Sequence, residues 1–107
     1  MEQKLDLNHH LIQHPAATFF VRVEGDSMKG AGIHQNDILI VDRSLEATNG
    51  KIVVAVINGE FTVKRIRFKD AQIVLEAENP AYPPISVDRS ADFQVWGVVT
   101  YVIHKAT

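Results

Sequence analysis

Two side chains in this sequence have the types needed for a nucleophile and its base. Ser27 stands in the run Gly25-Asp26-Ser27-Met28, where a strand-like segment, Thr18 to Glu24, breaks into a turn. Lys64 stands in Glu60-Phe61-Thr62-Val63-Lys64-Arg65-Ile66-Arg67-Phe68, which reads as the second arm of a hairpin. A serine hydroxyl is a weak nucleophile until a base takes its proton, and a solvated lysine ammonium cannot do so. In apolar surroundings the charged amine loses hydration, its pKa falls, and the neutral form becomes a competent general base. The chemistry would be attack on a carbonyl carbon. Backbone N–H groups at Ser27 and Met28, in the turn itself, would stabilise the resulting oxyanion.

The elements that must position this pair follow from strand periodicity. Strict alternation puts Phe61, Val63, Arg65 and Arg67 on one face and Thr62, Lys64, Ile66 and Phe68 on the other, so Lys64 shares its face with apolar neighbours. Gly25 permits a sharp exit from the preceding strand and presents the serine away from it. The same residues admit plainer readings. Asp26 or Ser27 could cap a one-turn helix, and Lys64 could carry its ammonium to water along an apolar face. The spacing also lacks the local serine-x-x-lysine signature of penicillin-recognising enzymes.

The remainder of the chain is short strands divided by turns. Asp37 to Asp42 is a brief apolar run, and Lys51 to Ile57 is apolar on both faces, as a central strand requires. Asn58-Gly59 is the strongest turn signal, a two-residue hairpin loop. Ala71 to Ala77 forms another strand, and Asn79-Pro80-Ala81-Tyr82-Pro83-Pro84 an irregular loop. Phe93 to Ile103 is a long final strand in which Gly97 marks a bulge or a close backbone approach. No stretch keeps helical periodicity beyond a turn or two. The fold class is mainly β, a strongly bent sheet or partial barrel of about seven short strands spanning residues 18–107. Residues 1–17, polar and ending near Pro15, read as an extended N-terminal arm. In this arm Leu5 and Leu7 alternate as in a strand, and Leu11-Ile12 breaks the phase.

Composition narrows the function classes. A length of 107 residues suits one domain, and 46% hydrophobic with 22% charged residues is a globular mixture. Net charge is −2 with no basic block, so direct nucleic-acid binding is not expected. The chain has no cysteine, which excludes disulfides and thiolate chemistry and suits a reducing cytoplasm. Its longest apolar run, Ile52 to Ile57, is far short of the roughly 20 residues of a membrane helix.

His9, His10 and His14 lie in the arm without zinc-site spacing and read as solvated or packing residues, with no metal. Phe93, Trp96 and Tyr101 in the last strand read as core or dimer-interface packing. Tyr82, in the proline loop, is a candidate for the flank of a substrate groove. Asp26 reads as a residue that fixes the turn.

Gly25-Asp26-Ser27-Met28, Gly32-Ile33, Asp37-Ile38-Leu39-Ile40-Val41-Asp42, Gly50-Lys51-Ile52-Val53-Val54-Ala55 and Gly59-Glu60-Phe61-Thr62-Val63-Lys64-Arg65 stand in an order and spacing that resembles the LexA/UmuD family of self-cleaving serine peptidases. The likeness continues through Glu78-Asn79-Pro80-Ala81-Tyr82 to Gly97-Val98-Val99. The arm, Leu5-Asp6-Leu7-Asn8 and Leu11 to Thr18, is similar to the segment before the catalytic domain in the UmuD branch. The resemblance implies a LexA/signal-peptidase-like fold, Ser27 as nucleophile, Lys64 as general base and no cofactor. It further implies a homodimer, cleavage of an N-terminal segment at a Cys-Gly or Ala-Gly step under a RecA–DNA filament, and partnership with a UmuC-type translesion polymerase. No such step stands ahead of Ser27, since Gly25 is the first glycine. The chain therefore reads as the processed form, with Met1 as an added start, unable to cut itself though able to act on a supplied segment. A β-rich interaction module with a relict dyad is an alternative. So is the C-terminal peptidase domain of a LexA-type repressor, which needs a DNA-binding domain that the residues before Ser27 cannot hold. A signal peptidase shares the serine–lysine logic, but no membrane anchor is present.

Overall fold

The computed structural model describes residues 3–107, so the reading of Met1 as an added start lies outside the described residues. Seven strands form one antiparallel sheet: β1 Thr18–Arg22, β2 Ile38–Asp42, β3 Ile52–Ile57, β4 Glu60–Lys69, β5 Gln72–Glu76, β6 Ile85–Ser86 and β7 Phe93–Ile103. Their order across the sheet is β1-β2-β7-β3-β4-β5-β6, which leaves it open with β1 and β6 at its edges. The mainly β architecture of about seven strands expected from the sequence is the one the chain builds. β6 is an addition. Its two residues pair with Val74 and Leu75 just beyond the proline loop, too short a segment for alternation to reveal.

Apolar side chains cover the sheet on both faces. One cluster contains Val23, Met28, Ile33, Leu39, Val41 and Val54; the other contains Val53, Ala55, Ile66, Leu75 and Val98. β3 supplies successive residues to opposite clusters, which explains a run that is apolar throughout. Each fully buried Leu or Ile contributes roughly 1.5–3 kcal/mol relative to exposure. Asn58 and Gly59 close the β3–β4 hairpin with φ of 50° and 82°, the left-handed pair that this two-residue turn demands. Gly97 fulfils both of its expected roles. A register shift interrupts the β3–β7 ladder beside it, and a Cβ there would fall 2.6 Å from Val41 Cγ1.

Within the stretch read as an extended arm, Leu7–Leu11 (α1) wind into a short helix. The Asp6 carboxylate accepts from the His9 N–H at 3.3 Å and so caps it, a local signal that outweighed the Leu5/Leu7 alternation. The arm then returns to the sheet. His14 Nδ1 lies 2.5 Å from Asp42 Oδ2, and Thr18 Oγ1 donates to the His14 carbonyl at 2.7 Å.

Candidate active site

The turn carrying Ser27 begins where β1 has ended and Gly25 adopts φ of 80°. That left-handed conformation, easy only for glycine, turns the chain across the sheet. Met28, 2% exposed, and Ile33, 1% exposed, then plug into the first apolar cluster and fix the turn at its far side.

A second segment clamps the turn from outside. The Glu78 N–H donates to the Ser27 carbonyl at 2.9 Å, and Glu78 returns its own carbonyl to the Gly30 N–H at 2.8 Å. Asn79 Nδ2 donates to the Asp26 carbonyl at 3.0 Å. Gly30 is needed for this approach, because a Cβ there would meet the Glu78 carbonyl oxygen at 2.6 Å. Arg65 anchors Glu78 in turn, with Nε 2.6 Å from its carboxylate. In the sequence, Asn79 opened the proline loop and both residues stood in a motif of the family resemblance, with no role assigned to either. Their roles depend on backbone groups far away in the chain, and no local pattern reports them.

Lys64 comes from β4 and shares its face with Thr62 and the buried Ile66, as alternation required. Its Nζ lies 2.9 Å from Ser27 Oγ, 2.7 Å from Thr62 Oγ1 and 3.1 Å from the Val63 carbonyl. The side chain is 8% exposed and, among the described residues, has no carboxylate partner. Burial alone therefore acts on its charge, and it lowers the amine below the usual lysine value. Three oxygens surround the amine, enough for every donor of its charged form; in the neutral form two N–H groups serve Val63 and Thr62 and the lone pair faces the Ser27 hydroxyl. The alternation placed Thr62 beside Lys64; its hydroxyl as a ligand of the amine emerged only from the side-chain geometry.

The amides of Ser27 and Met28 donate no hydrogen bond to any other group among the described residues, which leaves both free for an incoming oxygen. An open cavity of about 470 Å³ lies in front of the pair, lined by β1 and the Glu24–Met28 turn on one side and by Phe61–Lys64 and Trp96 on the other. Tyr82 does not line it. Its hydroxyl donates to Asp26 Oδ1 at 2.7 Å, and that carboxylate raises the phenol above its ordinary value. Asp26 thus fixes the turn through its side chain and its carbonyl, in line with its reading from sequence. The five histidines divide. His14 pairs with Asp42, His104 lies 2.6 Å from Asp37, and no group of three or more candidate metal ligands converges among the described residues. No helix among these residues is long and apolar enough to cross a membrane.

Fold and site together define a mainly β protein that holds a serine hydroxyl against a buried, uncompensated lysine beside two free amides. The profile of the Peptidase S24-like family matches residues 1–100, and the chain belongs to that family. It is 49% identical to protein SamA of Salmonella typhimurium over 104 residues, which cover 97% of this chain and 71% of SamA. Protein MucA of Escherichia coli is 43% identical over 101 residues, covering 94% of this chain and 68% of MucA. The LexA repressor of Shewanella denitrificans is 47% identical over 88 residues, covering 82% of this chain and 42% of the repressor. The family resemblance carried by the sequence motifs is thereby shown.

Proposed function

We propose that this chain is a UmuD-like protein of SOS mutagenesis, in which Ser27 and Lys64 form a peptide-cleaving dyad. The observation that carries this reading is the 2.9 Å separation of Lys64 Nζ from Ser27 Oγ at an amine with no counter-charge. Neutral Lys64 takes the hydroxyl proton as Ser27 Oγ bonds to the scissile carbonyl carbon. The Ser27 and Met28 amides hold the oxyanion. The protonated amine then delivers its proton to the departing nitrogen, and water releases the acyl-enzyme by the same base. The wider role is that of a homodimeric accessory subunit of an error-prone UmuC-type polymerase in the cytoplasm. A RecA–DNA filament favours the reactive conformation, and the arm at residues 1–17 is a separate element. The likeness to SamA and MucA over most of this chain supports the family placement on which this role rests.

The test supplies the scissile step in trans. A peptide containing an Ala-Gly or Cys-Gly step is incubated with the protein across neutral to alkaline pH, and cleavage is followed by mass spectrometry. Cleavage rises with pH through the lowered Lys64 pKa and then levels off. Ser27→Ala and Lys64→Ala each lower it by about three orders of magnitude or more. A Lys64→Ala variant as active as the parent removes the lysine from the mechanism.

A further inference from the structure

The cavity in front of Ser27 has an aromatic wall that the serine–lysine chemistry leaves without a task. Trp96 of β7 packs edge-on against Phe61 of β4, with ring centroids 5.1 Å apart and planes at 76°. Phe19 of β1 meets the same indole at 5.9 Å and 77°. The Arg43 guanidinium lies 4.7 Å from the Trp96 ring centroid, and its Nε donates to the Trp96 carbonyl at 3.1 Å. Two aromatic rings and one cation hold the indole in place. Phe61 nevertheless remains 63% exposed, the largest such value among the exposed large hydrophobic residues of the described chain. A single exposed apolar side chain needs no explanation. This one belongs to a fixed aromatic cluster lining the same cavity as the nucleophile.

We propose that Phe61 and Trp96 form an apolar subsite that selects one large hydrophobic side chain of the peptide cleaved at Ser27, an inference that rests on the dyad reading above. β5 pairs with β4 only from Arg65 onward, so Glu60–Lys64 keeps one edge without a strand partner. β1, across the cavity, is an edge strand of the sheet. An extended peptide fits a cavity bordered by two such strands, because its backbone can satisfy their open donors and acceptors. Phe61 precedes Lys64 by three positions, about 10 Å along a strand. A peptide running beside β4 with its scissile carbonyl at Ser27 therefore sets a side chain about three residues away against Phe61. Phe19, Phe61, Val63 and Trp96 offer that side chain apolar surface, and the Arg43 guanidinium is already stacked on the indole. A leucine gains from burial there, whereas a serine loses hydration without a partner.

Trp96 is the single tryptophan of the chain, so its fluorescence reports this subsite directly. Ser27→Ala, which binds without cutting, is titrated with Ala-Gly peptides carrying leucine or serine at one position, scanned along both sides of the step. At a position about three residues from the step, the leucine peptide shifts Trp96 emission to the blue. It binds roughly ten- to a hundredfold more tightly than its serine counterpart. Adding Phe61→Ala removes that preference, and the two peptides then bind alike. Equal affinity of leucine and serine peptides at every position overturns the subsite. So does cleavage of the leucine peptide by the parent protein when binding leaves Trp96 emission unchanged. Leucine-selective binding with the emission shift, but no cleavage by the parent at any pH, supports the subsite and refutes the dyad.

Discussion

Asp37 and Asp42 are buried about as deeply as Lys64, at 3%, 5% and 8% exposure, yet the fold surrounds them differently. Asp37 accepts from the His34 N–H at 2.8 Å and lies 2.6 Å from His104 Nδ1. Asp42 accepts from the Ser44 N–H and hydroxyl at 2.8 and 2.6 Å and lies 2.5 Å from His14 Nδ1. Burial works to raise both carboxyls, but hydrogen bonds from the histidine and serine partners outweigh it and hold both below the usual value. Lys64 has only neutral oxygens around its amine and no opposite charge among the described residues, and burial lowers its pKa. The aspartates are therefore kept charged as structural pins, one fastening the arm and one the C-terminal end of β7. The lysine gives up its proton more readily than a solvated one. Satisfied buried charge holds a fold together, whereas uncompensated buried charge points to chemistry.

The sharpest way to break this contrast is the loss of peptide cleavage in Lys64→Ala, the largest effect expected of any substitution here. Removing a pin acts on stability. Asp42→Ala leaves His14 and Ser44 without their acceptor and costs about 1–3 kcal/mol, a fall in Tm of roughly 5–15 °C by calorimetry. Asp42→Ala as stable as the parent would remove the pin from the comparison.

Acid titration probes the same carboxyls without mutation. Their folded pKa values lie below the ordinary 3.8, so their stabilisation is fully present above that value and is lost as pH falls through the folded pKa. Unfolding monitored by circular dichroism should show this decline below about pH 4, and Asp42→Ala should flatten it.

The smallest effect has the opposite sign. Lys64→Met replaces an uncompensated amine by an apolar chain of similar length and stabilises the fold at neutral pH by about 1 kcal/mol. The unfolded chain holds the Lys64 proton more tightly than the folded one. The parent's penalty therefore shrinks as pH climbs from the lowered folded pKa toward 10.5, and the advantage of Lys64→Met shrinks with it. Denaturant midpoints at neutral and alkaline pH measure this, and a destabilised Lys64→Met at neutral pH would show that the lysine is a pin as well.

Local rules made much of this protein readable from its sequence. Alternation assigned Lys64, Thr62 and Ile66 to one face, Asn58-Gly59 fixed the β3–β4 hairpin, and the unbroken apolar run of β3 marked a strand covered on both faces. Each of these signals acts within a few residues and survives whatever the rest of the chain does. Ordered motifs pointed to Ser27 and Lys64 as partners because the family spacing stands in for contact.

Only the tertiary structure decided how the pair is held. The Glu78–Asn79 clamp, the Thr62 hydroxyl on Lys64 Nζ, the His14–Asp42 and His104–Asp37 pins and the aromatic wall of Phe19, Phe61 and Trp96 join segments from opposite ends of the sequence. Such contacts depend on strand order and register across the sheet, which a one-dimensional pattern of side chains does not encode. The sequence determined which groups could react. Their desolvation and alignment, the conditions that the proposed dyad requires, were decided by the packing of distant strands.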